Sequence, residues 1–231
     1  MRILAISDIH IGLDFNLQML IKFRQIVERE RPDAVVLVGD IFELILSNWD
    51  LILKEELSKN GFAEIYRIGK LVPTYYINGN HDIWGSVISQ YDNLVPIALS
   101  GEKLELDGIT FIHGHQDQFD PTTKFWRFVT APIRKWLPLL WRKLKHTPRE
   151  LLENEKYRAK WDISAGTITM RVFNWMRNEY LSPSKLVFGH LHKDFILQAA
   201  DKDMVLANCG DMMGVCSYID IRDGEIEAIY L

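Results

Sequence analysis

The stretch that decides the fold is RILAISDIH, Arg2 to His10. Its first half is a continuous apolar run, which at this length reads as a strand buried on both faces. Its second half sets Asp8 and His10 two residues apart, a spacing at which extended chain points side chains the same way. The pattern recurs along the chain. AVVLVGDIFE (34–43) is a second buried strand, followed by Gly39 and Asp40; PTYYINGNHD (73–82) runs into Asn80, His81 and Asp82. ITFIHGH (109–115) ends in His113 and His115, and KLVFGHLH (185–192) ends in His190 and His192. Each motif alone has an ordinary explanation as a turn former or a hydrogen-bonded core histidine. Five of them at strand ends, where open α/β sheets place ligands, point to one site.

The segments between these strands fix the rest of the architecture. Phe15, Leu17, Leu20, Phe23, Ile26 and Val27 have helical spacing, and residues 50 to 70 read as a second helix, so the N-terminal part follows a βαβ rhythm. After residue 94 short strands follow in succession, and the Asp-Gly pairs at 107–108 and 223–224 predict hairpin turns. Two sheets packed face to face between outer helices, a four-layer α/β/β/α sandwich, is the expected fold class. With 231 residues, 48% of them hydrophobic, one core over residues 1–231 suffices.

Composition excludes little by itself: the net charge is -4 and the pI about 6.0. No run approaches the ~18 apolar residues of a membrane span. Cys209 and Cys216 lie in strand-like surroundings that predict buried, reduced thiols and a cytoplasmic compartment. Charge is nevertheless segregated. Residues 119–181 hold 13 Lys and Arg against 6 Asp and Glu, together with Trp126, Trp136, Trp141, Trp161 and Trp175. They read as helices interrupted near Pro132, Pro138 and Pro148. Such an insertion is either a solvated satellite core or a cap for an anionic, partly apolar substrate or a membrane surface.

The ordered set DIH, GDIFE, GNHD, HGH and GHLH resembles the calcineurin-like metallophosphoesterase superfamily. GDIFE, with a basic and aromatic helical insertion after the fourth motif, is similar to its UDP-2,3-diacylglucosamine hydrolase branch. That branch often carries Arg at the position of His81 and reads HGD where this chain has His115. The resemblance implies two divalent cations, Mn by family habit with Fe or Zn as alternatives. One takes Asp8, His10, Asp40 and His192; the other takes Asp40, Asn80, His113 and His190. Asp40 is thus the bridging carboxylate. Two cations ~3.5–4 Å apart clamp a phosphate and activate a water. Oxygen and imidazole donors suit such ions.

The superfamily also implies that His81 protonates the leaving oxygen or binds the phosphoryl group. Glu43 is the expected carboxylate that orients it, and Asp82 a turn or cap residue. Asn208 and Asp211 are either further approaches to the site or turn residues, and His115 is a substrate contact, a residue that supports the metal ligands from behind, or an exposed loop histidine. The implied activity is hydrolysis of a phosphate ester or diphosphate, with a UDP-glycolipid-like substrate first and a nuclease or nucleotidase second. A non-catalytic scaffold is the third reading. Peripheral membrane contact through 119–181, at the inner face of the membrane, goes with the first.

Overall fold

The computed structural model describes residues 1–12, 15–44, 54–82, 97–116, 118–120, 155–178, 184–199, 204–214 and 216–231. The first sheet is built around β1 (Arg2–Ile6), β2 (Ala34–Val38), β3 (Thr74–Ile77) and the short β4 (Ala98–Leu99), which run parallel in that order. The apolar runs read from sequence are buried throughout β2 and at all but the first residue of β1, as parallel strands covered on both faces must be. On the other side of β1 lie β10 (Ser217–Arg222) and β11 (Glu225–Tyr230), both antiparallel to their neighbours.

The second sheet contains β5 (Lys103–Leu106), β6 (Ile109–Ile112), β7 (Lys185–Phe188), β8 (Asp194–Gln198) and β9 (Val205–Cys209), in the order β5-β6-β7-β9-β8. Its central strands β6, β7 and β9 are parallel. Both Asp-Gly pairs form the hairpins expected of them, with φ of 52° and 75° at Asp107 and Gly108 and 49° and 83° at Asp223 and Gly224.

Period-two alternation sorts the core into layers. Ile3, Ala5, Val36, Val38 and Ile77 meet Phe111, Val187 and Ala207 of the second sheet. The alternate residues Leu4, Ile6, Val35 and Leu37 face Leu20, Phe23 and Val27 of α1 (Leu17–Glu30) and Ile65 and Ile68 of α2 (Glu56–Leu71). Asn16 accepts a hydrogen bond from the Met19 N–H and starts α1 two residues later than its apolar spacing suggests. The outer face of the second sheet is covered by α3 (Glu155–Asn178), whose Ala165, Ile168, Val172 and Met176 pack on Leu186, Phe188 and Leu206. The fold is therefore the expected α/β sandwich of two mixed sheets flanked by helices.

Of the insertion at 119–181, only Phe119, Asp120 and α3 are described; Trp126, Trp136, Trp141 and His146 lie outside the described residues. The α3 part packs on the second sheet, where its apolar stripe forms the fourth layer. No described helix is long and apolar enough to cross a membrane. Cys209 and Cys216 are buried free thiols.

Candidate metal centre

Parallel pairing brings the carboxyl ends of β1, β2 and β3 side by side, and those of β6 and β7 likewise. Asp8 and His10 follow β1, Asp40 follows β2, and Asn80, His81 and Asp82 follow β3. His113 and His115 follow β6, and His190 and His192 follow β7. The side chains converge, though not because the chain stays extended. Asp8, His10, Asp40, His190 and His192 lie beyond their strands with φ of 53°, 55°, 52°, 72° and 53°. In this left-handed region non-glycine residues are uncommon and cluster at functional sites. Two glycines complete the packing. A Cβ on Gly39 (φ 81°) would lie 2.4 Å from His113 Nδ1, and one on Gly79 would lie 2.1 Å from Asp40 Oδ1.

Among the described residues, three groups of buried or half-buried side chains bring their donor atoms within 4.8 Å of one another: Asp8, His10 and His192; His10, Asp40 and His81; and Asp40, His113 and His190. Asp8 Oδ2 accepts from the Ser7 hydroxyl at 2.5 Å and the His190 N–H at 2.9 Å, while its Oδ1 has no hydrogen-bond partner. His10 Nδ1 lies 3.0 Å from Glu43 Oε2, and its Nε2 is likewise without a partner, 4.0 Å from both Asp8 Oδ1 and Asp40 Oδ2. His192 Nε2 is 3.5 Å from Asp8 Oδ1. On the other side of Asp40, His113 Nε2 is 3.2 Å from Asp40 Oδ2 and 3.1 Å from Asn80 Oδ1.

Buried polar atoms left without partners require an explanation. Asp8 Oδ1 and His10 Nε2, facing each other across 4.0 Å with an imidazole and a carboxylate beside them, have the separation and chemistry of donors around a divalent cation. The donor set fits the metal pair.

Each imidazole has a second nitrogen, and those of His113, His10 and His190 are held by hydrogen bonds, while that of His192 makes none and lies within ion-pair distance of a carboxylate. His113 Nδ1 donates to the Val38 carbonyl at 2.8 Å, His10 Nδ1 meets Glu43, His192 Nδ1 lies 3.5 Å from Asp211 Oδ2, and His190 Nε2 lies 3.0 Å from Asp120 Oδ2. Such outer partners fix the tautomer and orientation of a metal-ligating histidine.

Glu43 Oε2 also lies 2.7 Å from His81 Nδ1, so one buried carboxylate serves His10 and His81 together. Burial raises the Glu43 carboxyl, but His81 and His10 overcome this and hold it down at about 2. Burial lowers the His81 imidazole, but the Glu43 and Asp40 carboxylates raise it to about 9. Asp82 accepts the N–H groups of Asp40, Phe42 and Gly79 at 2.6, 2.9 and 2.8 Å. It stitches two ligand turns together, and burial and the adjacent Asp40 push its carboxyl up to about 6. His115 is buried, its ring centroid 5.4 Å from that of His113, which sets aside the exposed loop histidine among its expected roles.

Compared with known protein families, residues 1–194 match the calcineurin-like phosphoesterases. The chain belongs to this family. Over 90 residues it is 30% identical to a component of the SbcCD nuclease of Staphylococcus saprophyticus, a stretch that is 36% of this chain and 23% of that relative. The match thus spans less than a quarter of the relative's length. Among solved structures, a dimetal phosphatase from Danio rerio superposes with a TM-score of 0.50 at 12% identity, covering 99% of this chain and 98% of that one. A Thermus thermophilus protein, TT1561, gives the same four values. At that identity the two structures speak for the fold alone.

A dimetal site is typical of this family, and the buried Asp and His groups are where this chain would hold one. Sequence reasoning misses two residues at the site of this phosphoesterase. Asp120 carries no spacing signal, since it approaches His190 only through the fold. Trp161 reads in sequence as one tryptophan of the insertion, but its indole N–H donates to the Leu191 carbonyl at 2.9 Å. Its ring centroid lies 5.9 and 6.3 Å from those of His190 and His192.

Proposed function

We propose that this phosphoesterase hydrolyses a phosphate ester or diphosphate bond. In this reading Asp8, His10, Asp40 and His192 hold one divalent cation, and Asp40, Asn80, His113 and His190 hold the second, with Mn ahead of Fe and Zn. The observation that carries it is the position of Asp40, whose carboxylate belongs to two donor groups and lies between His10 and His113. Bound cations would neutralise phosphoryl charge and activate a water. His81, partly exposed and held through Nδ1 by Glu43, keeps Nε2 for the leaving oxygen. Asp82 holds the Asp40 and Gly79 backbone still while it does so.

The substrate class we favour is an amphiphilic phosphate such as a UDP-glycolipid, with residues 119–181 acting as its cap and touching anionic lipid at the inner face of the membrane. The excess of Lys and Arg among tryptophans in that segment supports it. A nuclease is the second reading, favoured by the likeness to the SbcCD component. The deciding experiment is a panel with Mn²⁺ covering a UDP-glycolipid, model mono- and diesters, nucleotides and single-stranded DNA. Turnover of the glycolipid well above the rest is the expected result. Preference for DNA would install the nuclease reading, and turnover of none with metal bound would leave a scaffold.

A further inference from the structure

The turn that carries His190 and His192 is gripped from outside the strand ends. Both histidines lie in the left-handed region, with φ of 72° and 53°, on either side of Leu191. Such a residue is strained and persists only where its surroundings over-determine it. The turn's own backbone supplies little, one Leu191 N–H to Gly189 carbonyl bond of 2.9 Å among its contacts.

The strand ends add the His190 N–H to Asp8 Oδ2 bond at 2.9 Å, the Gly189 N–H to His113 carbonyl bond at 3.3 Å and the Asn208 amide to Gly189 carbonyl bond at 2.6 Å, and α3 with the segment just after His115 grips the turn as well. Trp161 donates to the Leu191 carbonyl, midway between the two histidines, and Asp162 of the same helix pairs with Lys193. Arg171, further along α3, donates to the Phe119 carbonyl at 2.9 Å, and the Phe119 ring meets Trp175 edge-on at 5.6 Å. Phe119 precedes Asp120, which is buried and holds His190 Nε2 at 3.0 Å. With Nε2 so engaged, Nδ1 is the nitrogen His190 can offer to a cation. Helix α3 thus reaches the metal-holding turn by two routes, one through Trp161 to its backbone and one through Asp120 to its imidazole.

We propose that Asp120 and Trp161 are positioning residues for the metal centre, so that cation affinity depends on α3 as well as on the strand ends. This rests on the dinuclear reading above. Asp120 sets the orientation and basicity of His190 and acts on one cation. Trp161 fixes the backbone between His190 and His192 and acts on both. Without them the strained turn relaxes toward ordinary φ and its two imidazoles separate. The cap segment would then be part of the catalytic frame, and removing it would not leave a working hydrolase of small substrates.

The test is calorimetric titration of the full chain with Mn²⁺ after chelation, beside thermal unfolding of the ion-free protein. The wild type should bind two ions. Asp120→Ala should weaken one of the two steps by about 10- to 100-fold, the usual effect of removing such an outer partner, and Asp120→Asn, which keeps an acceptor, by less. Trp161→Phe should weaken both steps by about fivefold, the equivalent of one neutral hydrogen bond. The ion-free unfolding midpoints should stay near that of wild type, which a purely structural role would not allow. If Asp120→Ala itself unfolds, Asp120→Asn supplies the deciding titration. Two ions bound with unchanged affinity in the Asp120 variants, or an affinity loss matched by an equal loss of ion-free stability, would overturn the proposal alone. A wild type that takes up no Mn²⁺ would overturn the dinuclear reading beneath it.

Discussion

At one end of the sandwich Asp107 and Asp223 turn at φ of 52° and 49°; at the other, Asp8, His10 and Asp40 turn at 53°, 55° and 52°. The torsions are nearly the same and the circumstances are opposite. The two hairpin aspartates gather around the N-terminal ammonium, which lies 3.6 Å from Asp107 Oδ2 and 2.9 Å from Asp223 Oδ1 in solvent-exposed pairs. There the left-handed backbone serves the twist of paired strands. At the ligand end the same torsion sits in a buried cluster, held by hydrogen bonds from distant parts of the chain, and serves to aim a donor. Backbone conformation does not by itself mark a site; burial and unsatisfied polar atoms beside it do.

If that contrast is right, substitutions at the two ends should differ in kind. The largest effect belongs to Asp40→Asn, which should abolish most turnover and lower retention of both cations, measured as Mn²⁺ content after desalting. Loss of one ion alone would make Asp40 a terminal ligand and break the symmetry of the cluster. Next, His81→Asn should reduce turnover by roughly 10²- to 10⁴-fold with metal content intact, as loss of a general acid does. The loss should shrink for esters with good leaving groups, and an equal loss for good and poor ones would assign His81 to phosphate binding.

At the hairpin end the effects should be on stability alone. Asp220 takes hydrogen bonds from Arg2 at 3.1 and 2.8 Å and from Arg222 at 3.2 and 2.9 Å. Burial raises its carboxyl, and these arginines hold it below its ordinary value despite that. Asp220→Asn should cost about 1.5–3 kcal/mol at neutral pH by denaturant melts. Because the folded pKa is depressed, that contribution is present above the unfolded value of about 3.9 and is lost as pH falls through the folded one. The gap between wild type and variant should therefore close in acid, while Mn²⁺ affinity stays unchanged throughout. The smallest effect is Gly108→Ala. Nothing lies within 4 Å of the added Cβ, so only the φ of 75° opposes it, and the cost should be about 1 kcal/mol. A larger cost would mean that the hairpin end is as constrained as the ligand end.

How much of this is legible in the sequence follows from what kind of force places each residue. The apolar strands and the Asp-Gly hairpins are legible because period and turn chemistry are local. The strand-end donors are legible as a set, since each motif directly follows a strand and parallel pairing brings the ends together. The cause of their convergence is not: Asp8 with His10, and His190 with His192, come together through left-handed kinks and not through the extended backbone that their spacing suggests. The place of Glu43 in GDIFE points to His81, but its equal claim on His10 needs three dimensions. Asp120 has no local signal, because its contact with His190 spans 70 residues of sequence. The packing of α3 is hidden for a related reason, as four stripe residues on a helix rich in charge do not say which sheet they cover.

The position of β1 in the middle of its sheet has a consequence for how the molecule comes to exist. Residues 2–6 leave the ribosome well before residues 217–222, yet one of the two neighbours of β1 is β10, paired through Arg2 with Arg222. At roughly 5–20 residues per second, tens of seconds separate the synthesis of these partners. For that interval a largely apolar strand presents an unpaired edge, the arrangement most prone to pairing with another chain. The strand that leads into the candidate metal site is therefore also an edge open to aggregation in the nascent chain, and β10 is the segment whose arrival closes it.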